Sequence, residues 1–484
     1  MQYSTLIFDL GDVLFHWSAK TITALPRSTM ASIMRSPTWN ALERGEMSEE
    51  AAYEEIGSEL SISPALIYEA LDQAKKTLFV DNELIDTLKK LKESFNGQLK
   101  VFAMTNICKN DFAFLSTILT DWSLFDGVFT SFDARLRKPE LEFYKLVIRE
   151  SGANPAQTIF VDDKIENVVA ARSFGITGIV FDSATSLLRK LYGLVQNPVA
   201  RGTEWLQHNA GKLDSTIENG ATFRDAFSQF LIWEVTEKKS FIDLEPRKRK
   251  RDSDSDSDSG MDGTWNYFTD KPVGTTASFP DDVDTTSYAM LTLSPSVESA
   301  NKILDQIIAN RNSDNIVQVY FDRLRPRVDP TVCINVLRLF YKYGRGHEIS
   351  ESLDFVTQTL KNRGYVDGTL HYYSAESFLF FVSRLILEQG SLAEIQALRP
   401  LLCERLRERV GRQSDSLAVA MRVLACQSVG VWADSDVQYL RQLQDVDGGW
   451  DMGWVCHYAR TKTRIGNRGV TTSYAVKALK AAEI

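Results

Sequence analysis

Ile7-Phe8-Asp9-Leu10-Gly11-Asp12-Val13 is the stretch on which the first half of the chain turns. The run Thr5–Leu10 is apolar and short, the length of a buried strand rather than a helix, and it delivers Asp9 to its carboxyl end. Working outward, four more short apolar runs follow at Lys100–Met104, Gly127–Thr130, Thr158–Val161 and Gly178–Phe181, with helical stretches between them. Strands alternating with helices predict a mostly parallel sheet with crossovers, an α/β Rossmannoid domain over residues 1–195. Between the first two strands, segments of helical periodicity such as Ser48–Leu60 and Asn82–Ser94 predict an inserted α-helical cap over about 16–95.

After Gln196 the strand signals stop and amphipathic patterns follow at Thr222–Thr236, Ser296–Arg311, Thr331–Tyr343, Ser350–Arg363, Ala375–Glu388 and Ser416–Ser428. Residues 196–484 therefore read as an all-α domain. Thr285-Thr286-Ser287-Tyr288-Ala289 recurs as Thr471-Thr472-Ser473-Tyr474-Ala475, and each copy is preceded by a tryptophan, Trp265 and Trp450. Repeated loop-plus-helix units predict stacked helical hairpins closing into an α/α barrel. Arg247-Lys248-Arg249-Lys250-Arg251 and the Asp/Ser alternation of Asp252–Ser259 cannot bury a core, which predicts a disordered loop over about 246–262, with a nuclear localisation signal as the other reading.

Bulk properties narrow the function. With 44% hydrophobic and 11% aromatic residues the 484-residue chain can build large cores. Its net charge of −9 disfavours a nucleic-acid partner, which would need clustered Lys and Arg. Five scattered cysteines without a Cys-x-x-Cys pair indicate neither a disulfide framework nor a zinc site. No apolar run of about 18 residues is present, so no stable membrane anchor is expected and a cytoplasmic location is. Homo-oligomerisation is left open.

Asp9, Thr105-Asn106 and Asp162-Asp163 all fall at strand ends, with Lys138-Pro139 between them, and the carboxyl ends of parallel strands converge on one crevice. The set suits phosphoryl transfer: a carboxylate attacks phosphorus, carboxylates hold a divalent cation, and Thr and Lys neutralise the equatorial oxygens. Over about residues 1–195 these four ordered motifs, including Lys138-Pro139-Glu140 with Phe143-Tyr144 and Val161-Asp162-Asp163 with Asn167, resemble the haloacid dehalogenase superfamily. The resemblance implies Asp9 as nucleophile, Thr105 and Lys138 as phosphate ligands, and Mg²⁺ on Asp9, the Gly11 carbonyl, Asp162 and Asp163. One position departs from the pattern. The family's general acid/base stands two residues after the nucleophile, where this chain has Gly11, with Asp12 one place later.

Pro280-Asp281-Asp282-Val283-Asp284-Thr285-Thr286 precedes the apolar run Tyr288–Leu291 and, taken alone, is an ordinary helix N-cap. Its Asp-x-Asp-Thr-Thr pattern, together with Gln444-Asp445-Val446-Asp447-Gly448-Gly449-Trp450, resembles class II terpene cyclases. Protonating an isolated alkene needs a carboxylic acid kept neutral by an apolar site, and the cations that follow need electron-rich walls. Trp265, Tyr267, Phe340, Tyr341, Tyr372, Tyr373, Phe378, Phe381, Trp450 and Trp454 are the wall candidates. The stretch Arg325-Pro326-Arg327-Val328-Asp329-Pro330, with Gly344-Arg345-Gly346, Gly368-Thr369 and Tyr372-Tyr373, looks like that of the fused dehalogenase-like drimane sesquiterpene synthases. That resemblance implies farnesyl diphosphate as substrate, Asp284 as the acid assisted by Asp282, Thr285 and the wall aromatics as substrate contacts, and Arg345, Lys462, Arg464 or Arg468 as diphosphate ligands. The expectation is a bifunctional enzyme that cyclises the prenyl chain and then hydrolyses its diphosphate. A cyclase that releases the diphosphate is the alternative.

Overall fold

The computed structural model describes residues 3–18, 21–244 and 263–482. The chain divides into two compact units, Met1–Val195 and Gln196–Ile484. The charged run Arg247–Arg251 and the Asp/Ser segment after it lie outside the described residues.

The first unit is built on a five-stranded parallel sheet of β1 (Thr5–Phe8), β2 (Lys100–Thr105), β3 (Gly127–Thr130), β4 (Thr158–Asp162) and β5 (Thr177–Val180), in the order β3-β2-β1-β4-β5. Strand β1 is buried on both faces and is flanked by β2, with Phe8 opposite Ala103, and by β4, with Phe8 opposite Val161. A strand with no solvent face must be apolar throughout, which is why it reads as a continuous run rather than an alternation.

Four helices, α1 (Arg27–Arg35), α2 (Pro37–Glu43), α3 (Glu49–Leu60) and α4 (Pro64–Lys75), form the cap around their own cluster of Ile33, Trp39, Leu42, Ile56, Ile67 and Leu71. The cap is narrower than the 16–95 expected. The Asn82–Glu93 helix puts Leu84, Ile85, Leu88 and Leu91 into the cluster that holds Leu6, Phe8 and Val101, so its apolar stripe belongs to the sheet.

The second unit is organised around six long helices: α5 (Ala226–Thr236), α6 (Val283–Leu293), α7 (Pro330–Lys342), α8 (Ala375–Gln389), α9 (Ser416–Val429) and α10 (Arg468–Ala481). Each packs on the next and α10 returns to α5, which closes a ring. The ring helices are buried nearly all round, as Val283–Met290 of α6 shows. Helices Pro198–His208, Ser350–Lys361, Leu398–Arg407 and Asp434–Gln442 cover them from outside, so the unit is an α/α barrel.

Every ring helix begins on a capping side chain: Asp225, Asp282, Asp329, Ser374, Asp415 and Asn467 each accept from a backbone N–H of the first turn. The unit is not all-α. A small antiparallel sheet joins Ser215–Ile217, Thr222–Phe223, Trp454–His457 and Arg464–Gly466, and Thr222–Phe223 is a strand where a helix start was expected. Strands of two to four residues are too short to show a period-two pattern. No helix of the described residues is long and apolar enough to cross a membrane.

Candidate active sites

In the first unit Asp9 follows β1 directly, Thr105 ends β2 and Asp162 ends β4, and the strand order sets them side by side. Lys138 is buried among them, its Nζ 2.8 Å from Asp9 Oδ2 and 2.6 Å from Asp162 Oδ2. Asn106 positions it by donating to the Lys138 carbonyl at 2.9 Å and accepting from the Lys138 N–H at 2.7 Å, next to a cis Lys138-Pro139 peptide. Asp162 also accepts from Asn167 Nδ2 at 2.9 Å and from the Lys164 N–H at 2.9 Å. Burial pushes the Asp9 carboxyl up to about 7, with Lys138 pulling against it and Asp162 adding to it.

One carboxylate oxygen from each of Asp9, Asp162 and Asp163 lies within 4.8 Å of the others. Three carboxylates against one buried ammonium leave excess negative charge, and an all-oxygen donor set fits a hard divalent cation such as Mg²⁺. The cavity above them is lined by Asp9, Gly11, Asp12, Thr105 and Lys138, and by apolar groups such as Met34, Trp39, Leu71 and Phe114. A Cβ on Gly11 would meet nothing within 4 Å, so the place of the missing acid is open space. Asp12 holds a left-handed backbone conformation, φ 55°, on the same lining.

In the second unit a cavity sits where α5, α6 and α7 begin and the segments leading into α8 and α10 meet. Asp282 caps α6 by accepting from the Thr285 N–H at 2.7 Å. Asp284, in the first turn, accepts from Asn335 Nδ2 at 2.8 Å and from the Tyr372 hydroxyl at 2.6 Å. Asn335 is oriented in turn by buried Arg338, whose Nη1 lies 3.5 Å from Asn335 Oδ1 and which also binds Glu234 and Glu388.

Burial raises Asp284 to about 7 against the pull of Tyr372 and Asn335, and raises Asp282 to about 8 against the bond from the Thr285 backbone N–H. A helix N-terminus favours a carboxylate by only about 0.3–1 kcal/mol. A rise from 3.8 to about 7 corresponds to roughly 4 kcal/mol favouring the neutral acid, so desolvation outweighs the dipole. The Oδ2 of Asp282 and the Oγ1 of Thr285 have no hydrogen-bond partner among the described residues. Such a carboxyl group can stay protonated near neutral pH and face an apolar guest.

The comparisons agree with both halves. Residues 3–175 match the haloacid dehalogenase-like hydrolase family, and residues 199–343 match the sesquiterpene cyclase AstC-like C-terminal domain. The chain is 39% identical to drimenol cyclase DrtB of Aspergillus calidoustus over 98% of its own length and 87% of that protein. The chain belongs to this family of fused dehalogenase-like sesquiterpene cyclases. Its first unit is 36% identical to the sesquiterpene phosphatase AstK of Aspergillus oryzae, over 40% of this chain and 97% of that one. A dehalogenase-family enzyme of Bacteroides thetaiotaomicron superposes with a TM-score of 0.32 at 19% identity, covering 38% of this chain and 95% of that structure.

As a member of the fused cyclase family the chain carries its acidic motif in one of two equivalent units. The Trp265 N–H donates to Thr286 Oγ1 at 2.8 Å, and the Trp450 N–H donates to Thr472 Oγ1 at 3.1 Å, so the two repeats have the same internal architecture. Where the first has Asp282 and Asp284, the second has Arg468 and Val470.

Of the expected contacts, Thr285, Tyr267 and Tyr372 line the cyclase cavity. Several others do not. Trp450 is fully buried with its ring N–H on the Leu440 carbonyl, and Trp265 packs edge-to-face on Phe230. Tyr341 lies against Gly346 and Glu394, and Tyr373 is 40% exposed with Arg464 over its ring. Arg345 is taken up by Glu348, Asp305 and Asn301, and Arg468 by Asp447. None of the four expected diphosphate ligands lines the cavity, although Lys462 Nζ lies 3.3 Å from Nε2 of His457, which does. The wall aromatics that sequence reasoning missed are Phe227, Phe279, Tyr320 and Tyr458. Two of them stand within three residues of a capping aspartate, Phe227 after Asp225 and Phe279 before Asp282, and that proximity was the available signal.

Proposed function

We propose that the chain cyclises farnesyl diphosphate in its helical unit and hydrolyses the phosphate ester of the product in its α/β unit. The observation that carries this reading is Asp284: a buried carboxyl pushed up to about 7, opening on an aromatic cavity. The Asp284 O–H adds its proton to the terminal alkene of the prenyl chain, the chain folds into a bicyclic drimane cation, and loss of a proton gives the alkene. Rings of Phe227, Tyr267, Phe279 and Tyr320 line the site and stabilise the cation through their faces while excluding water. Asn335 and Tyr372 hold Asp284 in place and stabilise the carboxylate it becomes.

In the α/β unit Asp9 is the nucleophile toward phosphorus, Lys138 orients it and neutralises phosphoryl charge, and Thr105 lines the same pocket. Mg²⁺ at Asp9, Asp162 and Asp163 would neutralise charge on the transferring group. The apolar cap residues Met34, Trp39 and Leu71 suit a hydrocarbon leaving group. Gly11 favours a second reading in which the chain releases the cyclic diphosphate, because no side chain there can protonate a leaving oxygen.

The test incubates wild type, Asp9→Asn and Asp284→Asn with farnesyl diphosphate and Mg²⁺ and analyses products before and after an external phosphatase. Cyclisation by Asp284→Asn refutes the acid assignment. Free alcohol or monophosphate from Asp9→Asn at the wild-type rate refutes the hydrolase assignment.

A further inference from the structure

A cyclisation that begins by adding a proton must end by losing one, and Asp284 and Asp282 are poorly placed to take it. Burial pushes Asp282 up, so it holds its own proton near neutral pH, and Asp284, once it has given up its proton, is a carboxylate already taken up by Asn335 and Tyr372. The other acids lining the cavity, the Tyr267, Tyr320, Tyr372 and Tyr458 phenols and the Cys456 thiol, are likewise pushed up and stay neutral, with no lone pair of useful basicity. Two histidines remain, His371 and His457, and burial pushes both down, so both are neutral imidazoles. His457 Nε2 faces Lys462 Nζ at 3.3 Å. His371 Nε2 is buried and has no hydrogen-bond partner among the described residues.

The ring of His371 is held for that task. Its edge-to-face neighbour is Tyr320, at 5.9 Å between centroids, and its backbone carbonyl accepts from the His457 N–H at 2.8 Å. Nε2 is the nitrogen without a partner, so in the tautomer that carries the ring hydrogen on Nδ1 its lone pair is free to take a proton. The fully buried Asp329 accepts from the His371 backbone N–H at 2.8 Å and from Thr369 Oγ1 at 3.0 Å, and its charge favours a positive His371 ring. His371 adjoins Tyr372, the hydroxyl of which holds Asp284, so the base and the residue that positions the acid are carried by one segment leading into α8.

We infer that His371 Nε2 is the base that ends the cyclisation, which rests on the reading of this unit as a protonation-initiated cyclase. A C–H bond on a carbon next to the cationic centre breaks, its electron pair becomes the π bond of the product, and the proton bonds to Nε2 to give an imidazolium beside Asp329. The imidazolium returns its proton to water as the product leaves, and the Asp284 carboxylate regains one, so the cycle consumes none. The place of one lone pair then selects which neighbouring carbon is deprotonated and hence which alkene forms.

The experiment uses the full chain with farnesyl diphosphate and Mg²⁺, comparing wild type with His371→Ala, with and without added imidazole, by gas chromatography and mass spectrometry after phosphatase treatment. The expected result is continued consumption of substrate with kcat for the wild-type alkene down by about 10²-fold, the loss expected of a general base. KM is unchanged, isomeric alkenes or a water-captured drimane alcohol replace the lost product, and imidazole restores the wild-type alkene. If the alanine variant does not fold, His371→Gln fills the site without supplying a base and is read the same way. A folded variant making only the wild-type alkene at the wild-type rate overturns the inference, as does a folded variant that loses all turnover without imidazole rescue. Failure of the wild-type chain to cyclise farnesyl diphosphate would sink the cyclase reading itself, an outcome that is seen before any His371 variant is made.

Discussion

Replacing Tyr372 by Phe tests how the acid is tuned. The hydroxyl donates to Asp284 Oδ2 at 2.6 Å and is the largest influence opposing the burial that raises this carboxyl. The ring keeps its edge-to-face contacts with Phe381 at 5.5 Å and Phe227 at 6.2 Å, so the substitution removes a hydrogen bond and little packing. A hydrogen bond to a charged group contributes about 1.5–3 kcal/mol. At about 1.4 kcal/mol per pH unit, its loss raises the Asp284 midpoint by roughly 1–2 units. The sign follows from which form works: the protonated acid is active, so wild-type cyclisation falls as pH rises through about 7. In Tyr372→Phe the falling limb moves to higher pH, and the plateau rate drops because a weaker acid protonates the alkene more slowly. The assay is single-turnover cyclisation against pH, scored by drimane products after phosphatase treatment. A limb that stays in place or moves to lower pH refutes the reasoning.

Gly11→Asp places a carboxyl where a Cβ finds open space, so the variant should fold and hydrolyse a prenyl phosphate faster than wild type by about 10²-fold or more, as measured by phosphate release. Asp12→Asn in the same assay separates the case in which Asp12 already serves, since activity then falls in that variant. Gly202→Ala drives a Cβ to 2.5 Å from Val476 Cγ2 and 2.7 Å from Trp450 Cζ3 in the helical unit. Overpacking of this kind costs about 1–3 kcal/mol, and calorimetry should show a lowered transition for that unit with the α/β unit unmoved.

The parallel sheet was legible because strands with no wet face are continuous apolar runs, and Asp9, Lys138 and Asp162 were legible because their order along the chain matches the strand ends. What composition could not show was destination. Trp450 and Trp265 stand in the repeat that drew attention to them, yet the repeat marks the packing of the loop on its helix, and both rings end in the core. Arg345 looked free, although Glu348 three residues on was its partner and Asp305 comes from another helix, a pairing no local pattern reports. Thr222–Phe223 and Trp454–His457 are the edges of the small sheet, whose two hairpins join through Ser215–Ile217 and Arg464–Gly466 across more than two hundred residues, and strands this short carry no local signal. His371 is an ordinary histidine in sequence, and only the loss of every partner for Nε2 sets it apart.

The contact of α5 with α10 also governs how the helical unit comes into being. Joining helices that lie roughly 230 residues apart costs about 5 kcal/mol of loop-closure entropy, a sum recovered only once both apolar flanks are covered. During synthesis α5 through α9 leave the ribosome as an open arc whose two edges are apolar, and the arc stays exposed to aggregation until α10 emerges and seals it. The α/β unit emerges first, with a sheet and core of its own, and can fold before that seal exists. A nascent chain therefore passes through a state with a folded hydrolase and an unclosed helical ring, which makes the sealing helix the step at which the second activity first becomes available.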